Sequence, residues 1–321
     1  TVEAAMGLEY WLKWHVGVCG LIIFLPATGA AMIGLKRRKK MKGDDDFGVQ
    51  VLRRSDLWLP CWKNLNPVWL LVYRVSAFGI MGWLLYQTVL FHGIVAFVFY
   101  TQWTFALVMI YFAIGAIISA QGCMRYTKSA IEVGEKGKSS QNGNAVNGLP
   151  KHHLHDETYE DAGFWGHLMH IIYQTCAGAV LMTDIVFWCV LVPMLAGKTF
   201  EVTWLIGSIH AVNVVFLLID SALNRLPFPL FGFIYFIYWG VSYIIFQWLL
   251  HAFSSITWWP YPFLDLSTAE APLWYLGLAL FHIPCFWIYL MIMNAKAPIF
   301  SRYFPKSFVR SHEQVVHKKA A

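Results

Sequence analysis

The chain has 321 residues, of which 58% are hydrophobic, 17% aromatic and only 13% charged. Soluble domains carry about 25% charged residues, so this composition argues against a soluble enzyme and points to the membrane. The net charge of +6 sits in short loops beside apolar runs; it is no nucleic-acid signal but reads as basic flanks that orient spans and meet anionic headgroups.

Seven apolar segments are long enough to cross a hydrocarbon core, which takes about 20 helical residues. They lie near 12–35, 68–92, 97–121, 164–195, 203–223, 228–250 and 272–294, and they predict an all-α bundle that forms one membrane domain over 1–321. The first segment is too long for a cleaved signal and reads as a span; six spans, with this segment lying in the interface, is the alternative. It ends in the basic LKRRKKMK followed by GDDD, a stop-transfer pattern, and residues 36–67 then form a polar loop. Spans two and three join through a short turn at His92 and Gly93. Residues 123–163 have the composition of a flexible cytosolic loop. Pro227 and Pro229 enforce a tight turn between spans five and six, and the aromatic stretch 251–271 reads as interfacial. A basic cytosolic tail, 295–321, closes the chain.

Lysine and arginine set the orientation. With the 36–67 loop in the cytosol, loops 36–67, 123–163 and 224–227 and the tail hold 9, 5, 1 and 6 basic residues. The opposite side holds only Lys13 and Lys198. The N-terminus is therefore expected outside and the C-terminus in the cytosol, in the plasma membrane or the endoplasmic reticulum. The six cysteines are scattered singly with no CxxC, which supports neither a zinc framework nor a disulfide scaffold.

Chemistry is expected on span five. His210, Asn213, Asp220, Ser221 and Asn224 fall within an arc of roughly 100° when the chain turns about 100° per residue. Lipid cannot satisfy such groups, so the stripe faces other helices or a wet cavity. On span three Thr101, Thr104, Tyr111, Gly115 and Ser119 share a face. Thr101 and His210 fall within the first turns of two helices running the same way, which brings a hydroxyl and an imidazole to similar depth. A hydroxyl needs such a base to become a nucleophile. Asp184, deep in span four, is either the acid that orients the histidine or a protonated, hydrogen-bonded group. Asp220 lies too far from His210 to touch it and is expected to pair with Arg74 or Arg225.

Blander readings stand beside these. A threonine in a span commonly bonds its own helix's carbonyls, so the polar residues could simply hold the helices of a scaffold or receptor-like protein together. Histidines at 92, 210, 251 and 282 with Asp184 suggest zinc or haem ligation as a third reading, although none of these histidines pairs with another at helical spacing. No cofactor is expected, and the lack of Walker, GxGxxG, HExxH and GxSxG motifs argues against a conventional serine hydrolase or a nucleotide enzyme.

Three stretches carry a resemblance: CWKNLNPVWLLVYR, FYTQWTFALVMIYF and RYFP. They resemble a group of plant multi-pass membrane proteins, which in turn is distantly similar to the Rolling stone and androgen-induced membrane protein family. The resemblance covers about residues 60–305. Members of that family with an assigned activity cleave fatty acid esters of hydroxy fatty acids, using a threonine and a histidine on different spans. Their threonine opens a helix, and Thr101 stands at the matching place. Their histidine heads a later helix, as His210 does in SIHAVNVVFLLID. The chain departs from them in its additional first span, its 123–163 insertion and Tyr100 in place of leucine, and Thr104 offers a rival hydroxyl. Rolling stone itself acts in cell fusion. The resemblance implies a lipid-ester substrate, with Thr101 and His210 catalytic and with Asn213, Gln102 and Asp184 in support.

Overall fold

The computed structural model describes residues 9–43, 52–139, 160–195, 201–254, 256 and 258–309. The long elements are α1 (Trp14–Gly43), α3 (Pro67–His92), α4 (Tyr100–Ser139), α5 (Gly163–Val186), α8 (Phe233–Phe253) and α9 (Ala271–Tyr303), with the short α2 (Arg54–Trp58), α6 (Trp204–Ile209) and α7 (Val212–Leu223) between them. Seven stretches are long and apolar enough to cross a membrane: Trp14–Arg37, Pro67–His92, Tyr100–Lys128, Gly163–Met194, Trp204–Leu223, Leu230–Phe253 and Ala271–Tyr303. Among the described residues there are no strands, only isolated bridges between Arg53 and Asp161 and between Trp62 and Phe308. The chain is a polytopic α-helical membrane protein.

The bundle is built around α5. Every residue from Tyr173 to Val180 is buried, and α4, α8 and α9 all pack on this helix. The run Cys176, Ala177, Gly178, Ala179 explains how: small side chains let neighbouring backbones approach closely. At Gly178 an added Cβ would stand 2.4 Å from the ring of Phe236. Gly178→Ala is therefore expected to overpack the α5–α8 contact and cost about 1–3 kcal/mol. Denaturation of the purified variant in micelles checks this, and unchanged stability would contradict the close approach.

Three details differ from the sequence expectation. Helix α4 does not stop near 121 but runs to Ser139. Gly122 seats the start of this extension, because Trp58 of α2 covers it so closely that any side chain there would clash. Helix α9 likewise continues into the expected tail as far as Tyr303. There Lys296 Nζ donates to Ser221 O and Asn224 O, both at 2.6 Å, so a tail lysine neutralises the carbonyl end of α7. The third difference is that span five is not continuous: α6 ends at Ile209 and α7 begins at Val212. The expected flexible loop lies outside the described residues over 140–159, as does the tail from 310 onward.

The span-five stripe does face inward: Asn213, Asp220, Ser221 and Asn224 are all buried. Asp220 pairs with Arg74, Nε to Oδ1 at 2.9 Å, with both side chains fully buried. Tyr111 and Asn224 also donate to Asp220 Oδ2. Arg74 Nη1 donates to Leu57 O at 2.7 Å and to Ser119 Oγ at 2.8 Å. This knot ties α2, α3, α4 and α7 into one unit.

Candidate functional site: an apolar cavity with a hydroxyl and an imidazole

Helix α1 packs mainly on α8 and α9 and also reaches the segment before α9, with His15 Nε2 2.9 Å from Leu266 O; a cavity of about 500 Å³ lies beside it. That is within the range of small-ligand pockets. Its walls are aliphatic: Leu21, Ile22 and Leu25 from α1, Ile237 and Ile244 from α8, Leu276 and Leu280 from α9. Leu21, Leu25 and Leu280 are more than half exposed, so the cavity opens beside α1 and α9 onto the surface that lipid covers.

Thr101 and His210 border this cavity together with Thr183 of α5. Thr101 lies in the first turn of α4. A short 3₁₀ segment, Ile94–Val98, delivers it there, and Val98 O accepts from Tyr243 OH at 2.9 Å and Gln247 Nε2 at 2.6 Å. Over this end folds the 258–270 segment. Its Tyr261 hydroxyl accepts from the Tyr100 N–H at 3.1 Å and borders the same cavity as Thr101. Burial raises the Tyr261 phenol above its ordinary pKa, which keeps it a neutral donor.

His210 occupies the break in span five. Opening the helix there frees the His210 carbonyl, which accepts from Trp188 Nε1 at 3.0 Å. The ring stacks flat on Phe187, centroids 3.6 Å apart. Phe187 and Trp188 both belong to a π-helical turn, Phe187–Leu191, that ends α5; such turns widen a helix and recur at functional sites. His210 Nδ1 stands 3.8 Å from Asp184 Oδ1, beyond hydrogen-bond length. Asn213 Nδ2 reaches the same oxygen at 3.5 Å. Both His210 Nδ1 and Asp184 Oδ2 are buried without a hydrogen-bond partner. With Nδ1 toward Asp184, Nε2 occupies the opposite ring edge.

The expected site residues thus divide. Thr101 and His210 share the cavity wall, and Asp184 lies behind His210. Asn213 and Gln102 are buried but are not part of the wall. Asn213 spends its Oδ1 on the Val214 N–H at 2.8 Å, as a local cap for the first turn of α7. Thr104 is buried with its Oγ unpartnered, away from the cavity. Of the other histidines, His251 stacks on Trp259, His92 approaches Thr88 O of its own helix, and His282 alone joins His210 at the cavity. Among the described residues no three His, Cys, Asp or Glu side chains gather as a metal site.

Sequence reasoning missed the cavity role of α1 and Tyr261 and weighed His282 only as a zinc or haem ligand. The aromatic loop carried the one signal for Tyr261, and an aromatic belt at the interface has the same composition. Comparison with known families, with curated proteins and with solved structures finds no match to this chain.

Proposed function

We propose that this protein is an intramembrane lipid-ester hydrolase that uses Thr101 as nucleophile and His210 as base. The observation that carries the reading is that these two side chains border one apolar cavity open to the lipid-covered surface. The resemblance to the threonine hydrolases assigns the same pair. A lipid would enter sideways beside α1, with its chain along the aliphatic wall and its ester carbonyl at Thr101.

In the proposed chemistry Thr101 Oγ attacks the carbonyl carbon while His210 Nε2 takes the hydroxyl proton. Asp184 would steady the imidazolium through Nδ1, from which its carboxylate stands 3.8 Å away. The Tyr261 hydroxyl, which is bonded to the Tyr100 N–H next to Thr101, would serve as the donor for the oxyanion. The tetrahedral intermediate then collapses, and His210 returns its proton to the departing alcohol. Water, deprotonated by His210, attacks the acyl-threonine, and His210 then returns that proton to Thr101 Oγ as the acid is released.

The test is turnover of a panel of long-chain and branched fatty acid esters by the purified protein, together with labelling by an acylating probe and mapping of the adduct. An adduct on Thr101 is expected. No turnover together with no labelling would end the hydrolase reading. One observation favours a second reading, a non-catalytic lipid-binding receptor: the 3.8 Å separation of His210 and Asp184 leaves the base unsupported. Binding of esters without turnover would decide for it. On the first reading Tyr261→Phe is expected to lower kcat roughly a hundredfold, the usual cost of one oxyanion donor, with little change in KM. An unaltered kcat would remove Tyr261 from the mechanism.

A further inference from the structure

One membrane border, where α3 begins and α9 ends, carries a basic surface that takes no part in the cavity chemistry. Two stretches far apart in sequence meet there as paired chain. Lys63 N donates to Ser307 O at 2.7 Å and Val309 N to Cys61 O at 2.8 Å. Trp62 stands opposite Phe308 and packs among Phe300, Phe304 and Phe308, with ring centroids 5.0, 5.4 and 5.9 Å away. Its Nε1 donates to Ala222 O, near the end of α7, at 3.1 Å. Packed rings and backbone bonds thus hold the surface in one shape. They bring Lys63 beside Lys306, and Arg302 lies in the last turn of α9 just before it. All three residues are exposed. Among the described residues none of them has a carboxylate partner, whereas Arg54 near the same border meets Glu160 Oε2 at 3.3 Å. No acid stands close in sequence either, since 57–131 and 271–309 contain neither Asp nor Glu.

Like charges fixed side by side repel one another until an anion joins them. The neighbouring side chains indicate which anion. Val68, Trp69, Tyr303 and Phe304 are exposed beside the cations, at the ends of the spans Pro67–His92 and Ala271–Tyr303. Apolar and aromatic groups at that level meet lipid where the hydrocarbon gives way to headgroups, so an anion bound here has room for acyl chains beside it. A guanidinium takes two phosphate oxygens at once, and lysines on flexible stems add point charges. Three cations exceed the single charge of a phosphodiester and suit a phosphomonoester, which is close to doubly charged at neutral pH. We propose that Lys63, Arg302 and Lys306 bind the headgroup of an anionic phospholipid that ends in a free phosphomonoester, with its chains along Val68, Trp69 and Tyr303. This site is separate from the cavity and depends neither on lipid binding nor on hydrolysis there.

The test is binding of a fluorescent phosphatidate to the full chain in neutral micelles at physiological ionic strength, where diffuse attraction is screened. Unlabelled phosphatidate, phosphatidylglycerol, phosphatidylcholine and inorganic phosphate serve as competitors. The wild type is expected to prefer phosphatidate to phosphatidylglycerol by roughly three- to tenfold, and neither phosphatidylcholine nor inorganic phosphate is expected to displace it. The triple variant Lys63→Gln/Arg302→Gln/Lys306→Gln is expected to weaken binding by roughly tenfold or more. The control Lys36→Gln/Arg125→Gln/Lys128→Gln removes the same charge from other exposed positions and is expected to bind as the wild type does. Thermal denaturation of both variants checks that the fold is intact, as expected for exposed side chains. Equal losses in the two variants would reduce the site to the general basicity of this border. Displacement by inorganic phosphate would make it a site for free anions. Either result, or no binding of phosphatidate by the wild type, would overturn the proposal.

Discussion

Replacing Thr101 by alanine is expected to lower kcat for ester hydrolysis by at least three orders of magnitude, and His210→Ala to match it. A nucleophile and its base act as a unit, so the losses do not add: the double variant is expected to be no slower than either single one. Thr104→Ala is the control. That hydroxyl is one turn away, buried and unpartnered, and removing it is expected to leave turnover within a factor of a few. Asp184→Asn separates orientation from proton transfer. Its carboxylate approaches Nδ1 without bonding it, so the variant is expected to lose kcat, by less than His210→Ala, with KM unchanged. Stopped assays on a good ester substrate give all five values. Thr101→Ala retaining a tenth of wild-type turnover would be enough to move the nucleophile elsewhere.

The spans were legible because lipid leaves few choices: about 20 apolar residues must form a helix with every backbone group satisfied. The partnership of Asp220 was legible for the same reason, since a carboxylate in a span has to find a cation and Arg74 was one of two in reach. The break at His210 was not. Nothing at Ile209–Ala211 forbids a helix, and the opening is held by Trp188 on the His210 carbonyl, a contact 22 residues distant. Helical arithmetic across 210–213 therefore grouped His210 with Asn213 correctly as inward-facing but hid their different duties. The cavity was illegible too. It lies where α1 packs on α8 and α9, and an apolar helix of nearly even hydrophobicity gives no sign of which face it lends to a pocket. Tyr261 illustrates the remaining gap: its place in the sequence is an aromatic interfacial loop, while its hydroxyl bonds the first turn of α4.

Breaking the Arg74–Asp220 pair is expected to have the largest effect on stability. Each partner is completely buried, and each makes further hydrogen bonds to neighbours: Tyr111 and Asn224 on the carboxylate, Leu57 O and Ser119 on the guanidinium. Arg74→Met leaves a carboxylate with no counter-charge, and Asp220→Leu strands a guanidinium. Removing one member of such a pair costs about 3–5 kcal/mol because the other stays desolvated. The double variant Arg74→Met/Asp220→Leu removes both charges and is expected to recover most of the loss, since a buried pair stabilises little relative to apolar residues of similar size. Denaturant titrations of the four proteins in the same micelles measure the coupling. Single variants within 1 kcal/mol of wild type would show that water reaches this knot. The hydrolysis assay adds a second reading of the same variants. The knot joins α7 to α2, α3 and α4, and His210 sits at the other end of the span that α7 completes. A double variant that is stable but slow would mean that this anchor also holds the imidazole in register with Thr101.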